Sequence, residues 1–490
     1  MRCDSLTLLT DFYELTMAQG YFLNGVGDKT AAFDLFFRQS PVNSGYAIAA
    51  GLSQVIDYIR NLRFSEDDIA YLSSLGVFRP EFIEFLRGFR FSGEIYAIPE
   101  GTVVFPMEPV LRVRGTIIEA QIIETAVLNI INHQSMIATK ASRVVYAAKG
   151  DPVLEFGLRR AQGPDAGVYG ARAAVIGGCA ATSNVLCGKM FDIPVRGTHA
   201  HSWIMTFPDE LAAFRAYADM YPGSTVLLAD TYDTLRSGVP NAITVFGEMR
   251  AKGLELKGHG IRLDSGDLAY LSKKAREMLD EAGFKDAIIS ASSDLDEYLI
   301  ESLKLQGAAI SLWGVGTRLI TSMDYPAFGG VYKLACEYDG GGNEIPKIKL
   351  SDNPEKVTNP GLKKVFRLYD SKTGKIRADL IALADETVDQ AKDLTIFDPV
   401  STWKKMTMRA GEYRVRELLV PVFEGGECVY RDPGVAEIKQ TCARELSTLW
   451  DECRRLVNPH ILPVDLSDRL FALKNKLIAE YGKGKKAGND

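Results

Sequence analysis

Apolar and polar positions recur with different periods along the chain, and the pattern changes near residue 150. Before that point, apolar residues three or four apart predict amphipathic helices, and short apolar runs predict strands. The predicted elements are a helix over 11–25, a strand over 30–39, helices over 51–62 and 80–89, a strand meander over 93–115 and a long helix over 119–148. Residues 1–140 are therefore predicted to form an N-terminal α+β domain.

From residue 152 onward, short β-rich runs alternate with helical stretches. The runs are PVLEFG, IPVRGT, STVLLAD, HGIRLDSG, DAIISAS, AAISLWGVG and GGVYKL. Strands that alternate with helices predict parallel βαβ units, and such a series favours an irregular (β/α) barrel over 141–340. A doubly wound open sheet is the alternative. The barrel is favoured because polar or glycine residues follow the strands, as barrel sites require. These residues are Arg159, Thr198, Asp230, Asp264, Ser292, Gly314 and Gly316.

The last segment, 341–490, begins with a basic, turn-rich stretch and continues with α+β patterns and a helical tail. It is predicted to form a C-terminal α+β extension that packs partly back on the N-terminal domain. The predicted fold class is thus α/β: an irregular (β/α) barrel with an N-terminal α+β domain and a C-terminal extension.

Composition narrows the class of protein. The 490 residues carry a formal net charge of −6, which argues against a nucleic-acid partner. The seven cysteines have no paired short spacing, which argues against a disulfide framework or a zinc ribbon. The start of the chain lacks the apolar core of a signal peptide, and no segment reaches the roughly 20 apolar residues of a membrane span. These features predict a cytoplasmic enzyme with neither a nucleic-acid nor a membrane partner.

The motif GIRLDSGDL, residues 260–268, carries the first candidate chemistry. A strand-to-helix turn with Asp267 as the helix cap would explain Ser265 and Gly266. It would not explain why the charged residues Arg262 and Asp264 lie on the same face of a buried strand. We therefore expect these two side chains to meet a polar ligand.

Two glycine motifs predict phosphate contacts. Gly314 and Gly316 end one strand and Thr317 opens the next segment, whereas Gly329 and Gly330 precede another strand. Exposed backbone N–H groups at such turns attract phosphate. Each motif alone is more often a simple turn. Together, at the ends of consecutive barrel strands, they match the usual position of a barrel phosphate site.

The stretch EFGLRRAQGPDAG places Phe156 and Arg159 at the end of a strand. Adjacent arginines before a Gly/Pro loop suit an anionic ligand, and a flat ligand could stack on the phenyl ring, although such a ring is core by default. Ser183, at the edge of the next element, is either part of a helix cap or a small polar ligand.

The five histidines of the chain include two that are two residues apart, His199 and His201, in RGTHAHSWIM. A metal site would need further ligands from other strands, and only His259 is nearby in sequence. Packing is one reading of His199. The remaining hypothesis is that a histidine of this motif lies among anion-binding groups and accepts a phosphoryl group reversibly.

Taken together, the chain resembles the nicotinate phosphoribosyltransferase family. The resemblance runs in order through LLTDFYELTMAQGYF, FDLFFR, EFGLRRAQGPDAG, VRGTHAHSWIM, GIRLDSGDL, WGVGTRL, GGVYKLACE and PKIKLSDNPEKVTNPG. It implies a type II phosphoribosyltransferase fold, in which an N-terminal α+β domain packs on an irregular barrel, and a homodimer with shared active sites. It also implies transfer from phosphoribosyl pyrophosphate to nicotinate in NAD biosynthesis, giving nicotinate mononucleotide and pyrophosphate, coupled to ATP hydrolysis through a phosphohistidine.

The resemblance also assigns residues to roles. His201 matches the phosphoacceptor and Asp264 the carboxylate near the ribose and Mg²⁺, which substrate phosphates rather than a dedicated protein cage would hold. Tyr13 matches a tyrosine that closes over the ring from the partner subunit. Arg159 would meet either the nicotinate carboxylate or the 5′-phosphate. The expected nicotinate contacts are Tyr13, Phe156, Arg159, Ser183, Thr198 and Arg262, and the expected phosphoribosyl contacts are Ser265, Gly314, Gly316, Thr317, Gly329 and Gly330.

Ser183 bears on the choice of substrate. The related nicotinamide enzymes have an aspartate at the corresponding position, where a carboxylate could accept from an amide but would repel a nicotinate carboxylate. A neutral serine that can donate a hydrogen bond favours the acid. Nicotinamide or quinolinate phosphoribosyltransferase activity is the nearest alternative, and a metal-dependent barrel hydrolase using His199 and His201 is a more distant one.

Overall fold

The computed structural model describes residues 5–41, 43–353 and 356–482. Contacts group them into two compact units. Unit 1 contains the stretches up to Met136, from Ala327 to Pro433 and from Gln440 onward, and unit 2 contains Ile137–Pro326 and Gly434–Lys439. The chain thus passes between units near residues 136 and 326, whereas the sequence pattern suggested divisions at 140 and 340. The segment after 340 joins the N-terminal residues in unit 1, apart from the short stretch Gly434–Lys439.

Both units mix helices and strands, which confirms the α/β class. The helices are α1 Phe12–Leu23, α2 Leu52–Arg60, α3 Glu66–Ser74, α4 Pro80–Arg87, α5 Ile117–Ile122, α6 Glu124–Ala147, α7 Pro164–Ile176, α8 Val185–Phe191, α9 His201–Thr206, α10 Glu210–Met220, α11 Val239–Ala251, α12 Leu268–Glu281, α13 Glu297–Leu305, α14 Thr317–Ile320, α15 Val435–Thr448 and α16 Asp468–Gly482. The long helix predicted over 119–148 is interrupted at Ile123 and forms α5 and α6. Among the described residues, no helix combines the length and the apolarity that a membrane crossing requires.

The strands are β1 Thr30–Phe37, β2 Ala47–Ile48, β3 Glu94–Ala97, β4 Val103–Val104, β5 Leu111–Thr116, β6 Val153–Glu155, β7 Ala181–Thr182, β8 Val226–Leu228, β9 Gly260–Leu263, β10 Ile288–Ala291, β11 Leu312–Val315, β12 Gly330–Tyr338, β13 Glu344–Pro346, β14 Lys363–Asp370, β15 Ile376–Leu383, β16 Leu394–Phe397, β17 Lys405–Met408, β18 Tyr413–Glu417, β19 Val420–Glu424, β20 Glu427–Cys428 and β21 Val464–Leu466.

Unit 1 is built on a seven-stranded sheet in the order β13-β12-β1-β5-β3-β19-β20. The apolar run of β1 is central, because β12 and β5 pair with it antiparallel on its two sides. The run GGVYKL was predicted to be a barrel strand, and this was wrong: it begins β12 of this antiparallel sheet. Both partners of β12, β1 and β13, pair with it antiparallel, so it is not part of the parallel sheet in unit 2.

A second sheet of unit 1, in the order β18-β14-β15-β21, encloses a buried ion pair. The Arg367 guanidinium donates to both carboxylate oxygens of Asp379, at 2.9 Å from Nε and 2.6 Å from Nη2. Both side chains have no solvent exposure, and Glu445 also accepts a hydrogen bond from Arg367 at 3.1 Å. The pair joins β14 to β15, and removal of one partner would leave an uncompensated charge in the core.

Unit 2 contains a parallel sheet in the order β7-β6-β11-β10-β9-β8. A single parallel bridge between Thr182 and Val195 adds the run IPVRGT beside β7. With this run counted as a seventh strand, the order is that of a seven-stranded ring. The ring would have one opening, between Val195 and β8. The described strands do not pair across this opening, so a closed barrel stays a prediction.

The imidazole of His199 lies at this opening. Its Nε2 accepts a hydrogen bond from the backbone N–H of Leu228 in β8, at 3.3 Å, where a neighbouring strand would otherwise provide a carbonyl. The ring is buried edge-on against Tyr217, with 4.6 Å between centroids. Burial lowers the pKa of His199 to about 4, so the ring is neutral and can accept this bond at neutral pH.

We predict that Arg367→Ala lowers the free energy of unfolding by about 3–5 kcal/mol, because Asp379 would keep a buried charge without a partner. Urea denaturation followed by circular dichroism measures the change. Arg469→Ala is the matched control, since that arginine pairs with Asp385 on the exposed surface and its loss should change stability far less. Equal effects of the two substitutions would contradict the account.

Candidate active site

The carboxyl ends of the parallel strands in unit 2 surround a cleft of about 520 Å³, a volume in the range of small-molecule sites. Its lining includes nine of the residues to which the resemblance assigns a catalytic or contact role: Phe156, Arg159, Ser183, Thr198, Arg262, Asp264, Gly314, Gly316 and Thr317. Spread over 162 positions of the chain, from 156 to 317, they meet here because parallel strands end at the same edge of a sheet.

The guanidinium of Arg262 connects three other side chains of the cleft. Arg262 in β9 donates from Nε to the Ser292 hydroxyl at 2.8 Å and from Nη1 to the Thr198 hydroxyl at 3.0 Å. Its Nη2 donates to Asp264 Oδ1 at 3.1 Å, and Ser292 also donates to that oxygen. The sequence predicted that Arg262 and Asp264 meet a polar ligand, which stays a prediction, and the structure places the two side chains in direct contact.

Asp264 is also held through its backbone. Its backbone N–H donates to Asp230 Oδ2 at 2.8 Å, and the same oxygen accepts from the Ser265 hydroxyl at 2.6 Å. Gly266, with φ of +78°, allows the sharp turn after this strand. Burial alone would raise the pKa of Asp264, but the hydrogen bond from Ser292 and the charge of Arg262 outweigh it, so the pKa lies below its ordinary value. The carboxylate is therefore ionised at neutral pH.

Phe156 forms one wall of the cleft, directly after β6. A Cβ atom on Gly314 would lie 2.7 Å from the phenyl ring, so only glycine permits this close approach of β11. The Arg262 guanidinium lies 6.0 Å from the centre of the ring. Beneath the wall, buried Glu155 accepts from the Thr182 hydroxyl at 2.6 Å and from the N–H of Gly157. Burial raises the pKa of Glu155.

The remaining predicted contacts in unit 2 lie at the rim. Arg159 is exposed in a 3-10 turn, Leu158–Arg160, and no hydrogen bond or ion pair engages it among the described residues. Ser183 is half-buried, with its backbone N–H bonded to Glu155 O at 2.9 Å. Thr317 begins α14 directly after Gly316. These groups are available to a ligand.

His201 is the first residue of α9 and is partly exposed. Its Nδ1 lies 3.1 Å from the Thr231 hydroxyl, and its Nε2 lies 4.0 Å from Asp264 Oδ2. His199 faces the protein interior instead, so the two histidines of the motif have different surroundings. Within the described ranges, no group of three or more His, Cys, Asp or Glu side chains is arranged to hold a metal ion.

Three predicted site residues belong to unit 1. Gly330 begins β12, where a Cβ atom would lie 2.0 Å from Asn132 Oδ1, and Gly329 precedes it. Tyr13 lies on α1 and is 45% exposed. Burial and the neighbouring carboxylate of Glu124 raise the pKa of Tyr13.

The motifs did not reveal two residues of the cleft, Ser293 and Asp294, which follow β10. Their φ angles are +110° and +35°, which are costly for residues other than glycine and typical of functional sites. The sequence indicated that Ser292 ends this strand, but the conformation of the two following residues left no compositional signal. Thr231, the partner of His201, was also missed.

Comparisons with known proteins agree with the sequence resemblance. Models of the N-terminal and C-terminal domains of nicotinate phosphoribosyltransferase match residues 8–132 and 362–474. The chain is 49% identical over 478 residues to nicotinate phosphoribosyltransferase of Bacillus subtilis, covering 97% of this chain and 96% of that protein. It is 34% identical over 539 residues to the human protein of that name, covering 98% of each.

A solved structure extends the likeness to the fold. The crystal structure of human nicotinic acid phosphoribosyltransferase superposes with a TM-score of 0.84 at 32% identity, covering 96% of this chain and 99% of that one. Sequence and fold therefore agree over nearly the whole length. The chain belongs to the nicotinate phosphoribosyltransferase family.

Proposed function

We propose that this enzyme transfers the phosphoribosyl group of phosphoribosyl pyrophosphate to nicotinate, in NAD biosynthesis, and couples the transfer to ATP hydrolysis through phosphorylated His201. The observation that carries the proposal is the single cleft in which an aromatic wall, an ionised carboxylate and several free anion-binding groups converge. The names of the relatives support nicotinate as the acceptor. The coupling and the residue roles come from the resemblance to the family, and the chemistry of the cleft supports them.

At the nicotinate end, the pyridine ring would stack on Phe156. Ser183 and Thr198 can donate hydrogen bonds to a carboxylate, and the guanidinium of Arg262 or Arg159 can balance its charge. Because Arg262 already binds Thr198 and Asp264, the ring and the reacting carbon would be held in one rigid frame. Such fixed positioning reduces the entropic part of the barrier.

At the ribose end, departure of pyrophosphate leaves positive charge on the anomeric carbon. The ionised Asp264 carboxylate is preorganised to stabilise that charge, since Asp230, Ser292 and Arg262 hold its position. Mg²⁺ held by the substrate phosphates near Asp264 would neutralise charge on the leaving group. Gly314, Gly316 and Thr317 with Ser265 would contact phosphate, and Gly329 and Gly330 of unit 1 keep the same proposed role.

His201 would accept the γ-phosphoryl group of ATP. With Nδ1 donating to the Thr231 hydroxyl, Nε2 carries the free lone pair that forms the N–P bond while the bond to the β-γ bridging oxygen of ATP breaks and ADP leaves. Asp264 lies 4.0 Å from this nitrogen, close enough to stabilise a positive charge on the ring. Hydrolysis of the phosphohistidine after transfer would return the enzyme to its starting state.

A homodimer with shared active sites completes the proposal. The exposed apolar side chains of Phe12, Tyr13 and Met17 on α1 support a subunit contact that includes this tyrosine. A cytoplasmic location is supported by the cysteines, because the six within the described part of the chain are all free thiols.

His201→Ala is predicted to abolish ATP hydrolysis and the stimulation of turnover by ATP, because the neighbouring imidazole of His199 is buried and its Nε2 already accepts from Leu228. Intact-mass spectrometry after incubation with ATP should show one added phosphoryl group on the wild type and none on the variant. His460→Ala, at an exposed histidine of unit 1, is the control and should be phosphorylated normally. Full ATP-dependent turnover by the His201 variant would disprove the assignment.

Ser183→Asp is predicted to lower kcat/KM for nicotinate by about tenfold to a hundredfold, because an added carboxylate repels that of the substrate. Turnover of nicotinamide should be retained or raised. Steady-state assays with both acceptors measure the ratio. Ser224→Asp adds the same charge at an exposed position outside the cleft lining and serves as control. An unchanged preference in the Ser183 variant would contradict this role.

A further inference from the structure

Apart from the cleft in unit 2, the protein has a cavity of about 630 Å³ in unit 1, lined in part by strands β14 and β18. Three arginines line it, Arg414, Arg416 and Arg444, together with one carboxylate, that of Glu445. The ionised side chains of the lining therefore leave an excess of two positive charges. The cavity shares no residue with the cleft in unit 2.

The charged residues of the cavity come from strand β18 and helix α15, which both line it. Arg414 and Arg416 are two apart in β18 and so project from the same face of the strand. On α15, Thr441, Arg444, Glu445 and Thr448 have the spacing of a single helix face. A helix that packs on a sheet normally presents apolar residues there. The buried apolar side chains of α15, Val435, Ile438 and Cys442, lie on the adjacent face, and the stripe that lines the cavity is polar and cationic.

The single carboxylate is already engaged. Glu445 accepts from Arg367 at 3.1 Å and also from Arg416, whose position in β18 pairs directly with that of Arg367 in β14. It thereby holds two neighbouring guanidinium groups together. Arg414 and Arg444 are exposed, and within the described ranges neither forms an ion pair. Arg444 donates a side-chain hydrogen bond to the Thr441 hydroxyl, at 3.0 Å.

Residues with hydroxyl groups add to the lining. Thr102 lines the same cavity with no solvent exposure, and its Oγ1 has no hydrogen-bond partner among the described residues. A buried hydroxyl without a partner is costly and uncommon. Tyr369 adds a second hydroxyl to the lining, 3.4 Å from Arg416. The cavity therefore combines unpaired cations with hydroxyl donors.

We propose that this cavity binds the phosphate group of a small phosphorylated molecule, with Arg414 and Arg444 as its main ionic contacts and the hydroxyl of Tyr369 as a donor. Planar guanidinium groups bind phosphate oxygens in pairs, and several donors around one anion match its oxygens. The volume leaves room for an organic moiety beside the phosphate. The site is separate from catalysis and does not depend on the role proposed for the cleft.

Hydrogen–deuterium exchange of the intact protein tests the proposal, because it reports on this cavity separately from the cleft. Sodium pyrophosphate is the probe, at ionic strength matched with sodium chloride. We expect it to slow exchange in peptides spanning 440–450 and 413–417 of the wild type. In Arg414→Gln/Arg444→Gln, affinity measured by this protection should fall by about a hundredfold, about tenfold for each lost arginine.

Arg409→Gln is the matched control, since it removes an exposed arginine that does not line the cavity, and it should keep wild-type protection. Both altered arginines are exposed, and circular dichroism would verify that the double variant is folded. The proposal is overturned if pyrophosphate leaves these peptides of the wild type unprotected, or if the double variant is protected at the same concentrations as the wild type.

Discussion

The cleft depends on the guanidinium of Arg262. Its three nitrogens donate to Ser292, Thr198 and Asp264, and so one cation holds groups from neighbouring strands in fixed positions. The hydrogen bonds of this network also keep Asp264 ionised in a partly buried place. A carboxylate that is charged and immobile before the substrate arrives is what a reaction with a cationic transition state requires, because no reorganisation is needed during the reaction.

Much of this site could be predicted from the sequence because strand ends are marked by composition. Apolar runs predicted β6 and β8 to β11, and the polar residues that follow them lie around one cleft, as parallel strands dictate. The strand GGVYKL was assigned wrongly, since a local apolar run does not reveal whether its partners are parallel or antiparallel. That depends on distant β1, almost 300 residues earlier in the chain.

Other features depend on three-dimensional geometry that local pattern does not encode. The left-handed backbone of Ser293 and Asp294 arises from the surrounding fold, and His199 was uninformative until its place beside β8 was known. The arginines of α15 and β18 gave no signal in the sequence, because only the tertiary fold brings these two elements to one cavity.

The central claim is the reaction itself, and a product assay tests it most directly. Purified protein would be given phosphoribosyl pyrophosphate and Mg²⁺ with nicotinate or nicotinamide, each with and without ATP, and products would be identified by mass spectrometry. The account predicts nicotinate mononucleotide, formed faster with ATP, and little amide product. Nicotinamide mononucleotide as the main product would contradict the acceptor assignment, and no nucleotide from either acceptor would contradict the proposed reaction.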